Sequence, residues 1–316
     1  VVAEGPLLKI VGLHVEGLRA LKRVDWPADG MGWGGVVPDV VVIGGVNGSG
    51  KTTLLELIFA AVCRLQKPNE PGIACDAEVR IQVRRADRDD VVPVRFRRDD
   101  PGRQKGRTVF SDAMVEPDEQ FAASDLPSTI YLPSDRALVI PEEPYKAAGN
   151  LKAPQTFTYR FHAPAKWSES LEAVLYAARW ADLNALAAGR TEHNFDAYAE
   201  AFSTFFEDKR LVWEDGELVV RVADGSLHAL DALSSGEKQV IILVSELLRR
   251  WRPGSLVLID EPESHMHPVW IAKLWRLLKR WQQERGGQVI LATQSTQLFG
   301  LADVRGKILL GGGDLA

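Results

Sequence analysis

The octapeptide "GVNGSGKT", Gly45 to Thr52, follows the continuous β-branched run "DVVVIGG" and leads into "TTLLELIFAAVCRL", which has helical apolar spacing and stops near Pro68. A buried strand, a glycine-rich turn and a helix in that order leave few folds open. Gly45, Gly48 and Gly50 free the backbone to turn successive N–H groups toward phosphate oxygens, and the helix beginning at Lys51 adds its positive end. The pattern G-x-x-x-x-G-K-[ST] is met at Gly45, Gly50, Lys51 and Thr52. Lys51 is placed to reach β- and γ-phosphates, and the Thr52 hydroxyl to ligate Mg2+. Asn47, Gly48, Ser49, Gly50, Lys51, Thr52 and Thr53 are therefore the candidate nucleotide-binding stretch.

Before this loop, "LLKIVGLHVEGLRALKRVDW" alternates well enough for two short strands, followed by the Gly/Pro/Trp-rich "PADGMGWGGVVP". "AEVRIQVRR" and "VVPVRFRR" flank "ADRDD" as a hairpin, with Pro93 marking an edge, and "STIYLPSDR" gives a strand ending at Pro133. Residues 141 to 166 carry several prolines and little periodicity. Two amphipathic helical stretches follow, "SLEAVLYAARWADLNALAA" and "NFDAYAEAFSTFFE", then a hairpin turning at Asp215-Gly216. The last third returns to α/β rhythm: a helix from about Gly236 to Trp251, the strand "SLVLID", the helix "PVWIAKLWRLLKRWQQE", the strand "QVILAT" and the closing strand "GKILL". The expected organisation is an α/β nucleotide-binding core in two parts, residues 1–75 and 226–316. An inserted β-hairpin and helical lobe at 76–225 divides them.

In "SLVLIDEPE", a buried strand delivers two carboxylates at its C-terminal end, where open α/β sheets bind ligands. Asp260 is the candidate Mg2+ ligand, directly or through water, and Glu261 is free to orient and polarise an attacking water. An ordinary acidic turn is the simpler alternative for this pair taken alone. The stretch "LSSGEKQ" poses a different question, because Ser234 and Glu237 have the spacing of a capping box and would start a helix with no ligand at all. Gly236, however, exposes the backbone of the first turn and Ser235 adds a hydroxyl, a second recipe for gripping a phosphate. Two cradles on one chain suggest a site closed from opposite sides by two copies.

These three stretches resemble the Walker A, signature and Walker B motifs of ABC-type ATPases, and "DEPESHMHP" is similar to the D-E-P-E-x-H-L-H-P stretch of the OLD, RecF and Septu-like ATPases of DNA repair and phage defence. The resemblance spans about residues 7 to 75 and 226 to 310. It implies a P-loop NTPase of the ABC-ATPase head type, with a mixed central sheet, an antiparallel β-subdomain, an inserted helical lobe and no long coiled coil. It also implies a homodimer sandwiching two ATP molecules, in which Ser235 and Gly236 touch the γ-phosphate held by the partner and Ser264 to His267 lie in the dimer-contacting loop. By the same resemblance Arg136, in "YLPSDR", is a coupling or phosphate-contacting residue, with a structural salt bridge as the alternative. Lys51, Glu261 and Gln294 are the candidate catalytic residues. Gln294 departs from the family's T-H-S triplet; its amide can hold a water or donate to the γ-phosphate but cannot shuttle a proton, so slow turnover is expected.

The remaining features narrow the setting. The 316 residues, 46% apolar, suffice for a large α/β core, and two cysteines make neither a disulfide framework nor a zinc motif. No apolar run reaches membrane-helix length and "VVAEGPLLKI" does not look like a signal peptide, so no membrane association and a cytoplasmic location are expected. A net charge of −5 argues against coating nucleic acid everywhere, and the arginines between Arg80 and Arg107, interleaved with aspartates, read as a solvated hairpin or else a DNA-binding ribbon. Trp26 or Trp33 could stack on adenine or simply pack. Arg249, Arg250 and Arg252 read as a solvated helix end or phosphate contacts. His265 and His267 read as helix-start and interface residues or, less simply, as metal ligands.

With only a short tail after "GKILL", a nuclease or other effector protein is expected in trans, with double-stranded DNA as a candidate ligand. The alternatives are a transporter ATP-binding subunit, disfavoured by the long separation of signature from Walker A, and a chromosome-organising head, disfavoured by the lack of heptad arms.

Overall fold

The structure is a computed structural model and describes residues 5–27, 36–66, 75–85, 89–97, 126–134 and 171–311. Along the chain, β1 (Leu7–Leu18) and β2 (Leu21–Trp26) form a hairpin, and β3 (Val40–Gly44) enters α1 (Lys51–Gln66) through the glycine-rich loop. Next come β4 (Asp76–Arg84), β5 (Asp89–Phe96) and β6 (Thr129–Leu132), then α2 (Leu171–Ala187) and α3 (Asn194–Phe205). The strands β7 (Lys209–Glu214), β8 (Glu217–Val222) and β9 (Leu227–His228) precede α4 (Ser235–Arg250) and β10 (Leu256–Asp260). The chain closes with α5 (Pro268–Arg285), β11 (Gln288–Thr293), α6 (Thr296–Leu301) and β12 (Lys307–Leu309).

The fold is α/β of the P-loop NTPase type, and the mixture of strand directions is divided between layers. Five parallel strands in the order β12-β3-β11-β10-β6 make the central sheet, while β2-β1-β4-β5 and β7-β8-β9 are separate antiparallel sheets. Alternation along the central strands sends residues to two cores. Val41, Ile43, Leu256, Leu258 and Ile290 face α1 and the four-stranded sheet; Val42, Val257, Ile259, Val289 and Leu291 face the layer of α2 to α6. The helix α1 lies between two sheets, which is why its residues from Leu54 to Val62 are buried on every side rather than along one stripe.

Buried polar groups tie the layers. Gln288, fully buried in β11, accepts from the Ile10 N–H at 2.8 Å and donates to the carbonyls of Ile10 and Pro38 at 3.1 and 2.8 Å. Asp182 of α2 accepts from the N–H groups of Asn194 and Phe195 at 2.8 and 2.9 Å, capping the start of α3 from a neighbouring helix. In β1, a bulge between Ile10 and Gly12 re-phases the alternation, so that Leu8 and Ile10 face inward before it and Leu13 and Val15 after it. One 12-residue strand thus stands where simple alternation predicts a shorter one.

One expectation needs correction. Arg249 and Arg250 do not form a solvated helix end: they are 5% and 7% exposed and flank Glu246, to which Arg250 Nε donates at 2.5 Å. Trp26 packs in the core below the parallel sheet and donates from its indole nitrogen to the Arg305 carbonyl at 3.2 Å, leaving it no face for adenine. Trp33 lies outside the described residues. The arginines of the β4–β5 hairpin pair with acids, Arg95 with Glu78 and Arg84 with Asp89 at 2.8 Å, as a solvated surface would. Among the described residues no helix is long and apolar enough to cross a membrane.

Candidate active site at the carboxyl ends of the parallel strands

Parallel pairing brings the ends of β3, β11 and β10 to one edge, with Thr293 beside Gly44 and Asp260 beside Ala292. The loop after β3 turns on Gly48 and Gly50, whose φ angles of +79° and +97° are left-handed, and a Cβ at Gly50 would lie 2.5 Å from the Leu21 side chain. Asn47 and Gly48 are exposed at its tip, Ser49 and Gly50 half-buried, and Thr53 is buried in the first turn of α1. The Ser49 hydroxyl is buried without a hydrogen-bond partner among the described residues.

The buried Lys51 ammonium donates to the Val46 carbonyl at 3.0 Å and lies 3.9 Å from Glu261 Oε1. Thr52 Oγ1 donates to Asp260 Oδ2 at 2.7 Å. Lysine, threonine and two carboxylates from opposite ends of the sequence thus form one cluster. A hydroxyl beside a carboxylate is a hard, oxygen-only donor set that suits Mg2+. Together with the Ser49 hydroxyl, unpartnered among the described residues, and a lysine that bonds a loop carbonyl beside a carboxylate, the residues fit a nucleotide phosphate and its cation.

A family model described as "AAA domain, putative AbiEii toxin, Type IV TA system" matches residues 40–300, from the start of β3 into α6. The chain belongs to this AAA domain family. An AAA domain agrees with the P-loop NTPase fold described above, and that fold implies nucleotide binding. No curated protein matches the sequence significantly. Among solved structures, the SMC head domain from Thermotoga maritima is 15% identical at a TM-score of 0.48, covering 95% of this chain and 93% of that one. An SMC head bound to the C-terminal winged-helix domain of ScpA is 17% identical at 0.48, with 93% and 92% covered. A dimeric bacterial ABC transporter cassette is 15% identical at 0.42, with 96% and 94% covered.

In this AAA-family chain the other predicted residues fall into two groups. Gln294 is exposed just beyond β11, at the same sheet edge as Asp260 and Glu261. Its N–H donates at 3.0 Å to Glu263, a residue to which sequence reasoning gave no role although it stands two positions after Glu261. The second group is the start of α4. Ser234 caps it in a complete capping box with Glu237, as the spacing predicts, and Ser235 is exposed in its first turn. Gly236 is buried, and a Cβ there would lie 2.4 Å from the His265 carbonyl oxygen and 3.2 Å from the Trp270 ring. The structure therefore seats Gly236 on the loop that follows Asp260 and Glu261.

Lys209 of β7 donates to Glu237 Oε1. Burial would raise the Glu237 carboxyl, but the bonds from Lys209 and Ser234 outweigh it and hold the group below the ordinary glutamate value. His267 caps α5, its Nδ1 accepting from the Val269 N–H at 3.3 Å, and His265 is exposed with a φ of +63°. His267 thus stands at a helix start, as one of its two readings has it, and His265 lies in the loop before it. Arg136 lies outside the described residues.

Proposed function

We propose that the chain binds ATP with Mg2+ at this site, hydrolyses it slowly, and closes into a homodimer around two nucleotides as a switch for a partner protein. The observation that carries the reading is the 2.7 Å bond from Thr52 to Asp260, which joins the phosphate loop to the acidic strand end. Lys51 exchanges the Val46 carbonyl for β- and γ-phosphate oxygens, and Thr52 and Asp260 hold the cation. Mg2+, when bound, neutralises charge on those oxygens. Glu261 orients and polarises the attacking water, and Gln294 holds that water or donates to the γ-phosphate. Without the imidazole that relatives carry at this position, turnover is slow, and nucleotide binding does much of the switching.

Ser235, exposed in the first turn of α4, serves the nucleotide of the opposite subunit in this reading, while Arg136 contacts phosphate or couples it to the lobe at 76–225. The family description, whose words include "putative AbiEii toxin, Type IV TA system", is in keeping with a role in defence, like the resemblance of "DEPESHMHP" to Septu-like ATPases. A nuclease or another effector in trans, with double-stranded DNA as a ligand, completes the proposal for a cytoplasmic protein.

The test is light scattering of Glu261→Gln with and without Mg-ATP, beside ATPase rates of the wild type over a dilution series. ATP-dependent dimers in the variant and a specific activity that falls on dilution are expected. A monomer throughout, with a rate per molecule that stays constant on dilution and ignores Ser235→Arg, contradicts the dimeric reading.

A further inference from the structure

Backbone pairing between β10 and β11 ends with Asp260 opposite Ala292, and the Glu261 N–H adds one more rung to the Ala292 carbonyl at 2.8 Å. Past that point the two chains part, because Glu261 turns with a φ of +43° into the loop before α5. The ladder nevertheless continues through a side chain. Glu263 Oε1 accepts from Thr293 Oγ1 at 2.5 Å, from the Gln294 N–H at 3.0 Å and from the Ser295 N–H at 3.2 Å. Thr293 Oγ1 in turn accepts from the Ser295 N–H at 2.9 Å, and the Ser295 hydroxyl caps α6 by accepting from Leu298 N–H at 3.3 Å.

We propose that Glu263 is a positioning residue for hydrolysis, fixing the loop that carries Gln294 to the loop that carries Glu261. It acts through Gln294 and does not itself touch nucleotide. A carboxylate receiving three donors makes charge-assisted bonds, roughly twice as strong as neutral ones, so one side chain can hold a segment that has left the sheet. Removing it leaves the Gln294 N–H and the Thr293 hydroxyl to find other partners and the Ser295 N–H held by Thr293 Oγ1 alone, and the segment relaxes away from the reacting phosphate. A misplacement of that order lowers the rate without touching the lysine, threonine and glycines that hold the nucleotide.

The inference rests on the ATPase reading, so Gln294→Ala accompanies every measurement. In the full chain, kcat, KM and the Kd for a fluorescent ATP analogue are compared for the wild type, Glu263→Ala, Glu263→Gln, Gln294→Ala and the double alanine variant. Glu263→Ala is expected to lower kcat by about tenfold or more while Kd stays within about twofold. Glu263→Gln, which keeps an acceptor oxygen, recovers most of the rate, and the double alanine variant is no slower than its slower parent because both changes break one device.

A wild-type rate in Glu263→Ala beside a slow Gln294→Ala overturns this inference alone, as does a loss fully additive with Gln294→Ala or a Glu263→Gln as slow as the alanine variant. A wild-type rate in Gln294→Ala, or a wild type that does not turn over ATP, overturns the hydrolytic reading and the inference with it. Should Glu263→Ala lose its circular dichroism signal, Glu263→Asp, with the carboxylate drawn back by one methylene, carries the same expectations.

Discussion

Thr52, in the first turn of α1, donates a 2.7 Å hydrogen bond to Asp260 at the end of β10, across 208 positions of sequence. Neither residue would be placed by its own neighbours. The bond exists because β3 and β10 are parallel members of one sheet with β11 between them. Asp260→Asn keeps the shape and removes the charge, and is expected to reduce Mg2+-dependent nucleotide affinity by at least about tenfold, the order lost when even outer partners of metal sites are removed. Titration with a fluorescent ATP analogue, with Mg2+ and with EDTA, checks it. Equal loss under both conditions would count against a cation at this pair.

Gly236 is fixed by close approach, since any β-carbon there collides with the His265 carbonyl, which is backbone and cannot swing aside. Gly236→Ala is expected to cost about 1–3 kcal/mol as overpacking. It should also shift the loop after β10, so thermal denaturation shows a lower midpoint and ATP-dependent dimerisation weakens. An unchanged melting curve would mean that the contact yields easily.

The pair Lys209 and Glu237 joins β7 to the start of α4. The Glu237 carboxyl is held below its ordinary value in the folded chain, so this pair's stability is present above the unfolded glutamate value and is lost as pH falls through the lowered one. Lys209→Met removes the main lowering partner. Acid unfolding followed by circular dichroism is then expected to begin at higher pH than in the wild type, and exchanging the two charges by Lys209→Glu with Glu237→Lys to restore part of the difference. Identical acid midpoints in wild type and Lys209→Met would assign the capping to Ser234 alone.

Gln288 is the polar tie between the parallel sheet and β1, with three hydrogen bonds at 2.8 to 3.1 Å and no exposed surface. Gln288→Leu leaves a buried N–H and two carbonyls without this partner and is expected to destabilise by about 2–5 kcal/mol. Urea denaturation measures it directly. A loss below about 0.5 kcal/mol would mean that water or a backbone shift replaces the side chain.

Local chemistry made much of the architecture legible. "DVVVIGG" is a strand because a β-branched run buried on both faces can be little else, and "LSSGEKQ" starts a helix because Ser234 and Glu237 satisfy each other's backbone groups. The turn at Asp215-Gly216 likewise falls where two residues that tolerate positive φ meet. The two-residue β9 and the six-residue α6 were not legible, because elements that short carry no period of their own. The bulge in β1 hid a long strand by breaking its alternation.

The sequence alone singled out the candidate phosphate- and cation-binding residues, since the spacing of Gly45, Gly50, Lys51 and Thr52 and the strand ending in Asp260 and Glu261 are local patterns. Tertiary structure alone decided which of them meet. It set Thr52 on Asp260, seated Gly236 on the His265 carbonyl, bound Glu263 to residues 293–295 and buried Arg249 and Arg250 around Glu246. The physical reason is that periodicity says which face of an element is apolar, whereas the partner of a polar group is fixed by strand order and by the packing of layers far apart in the chain.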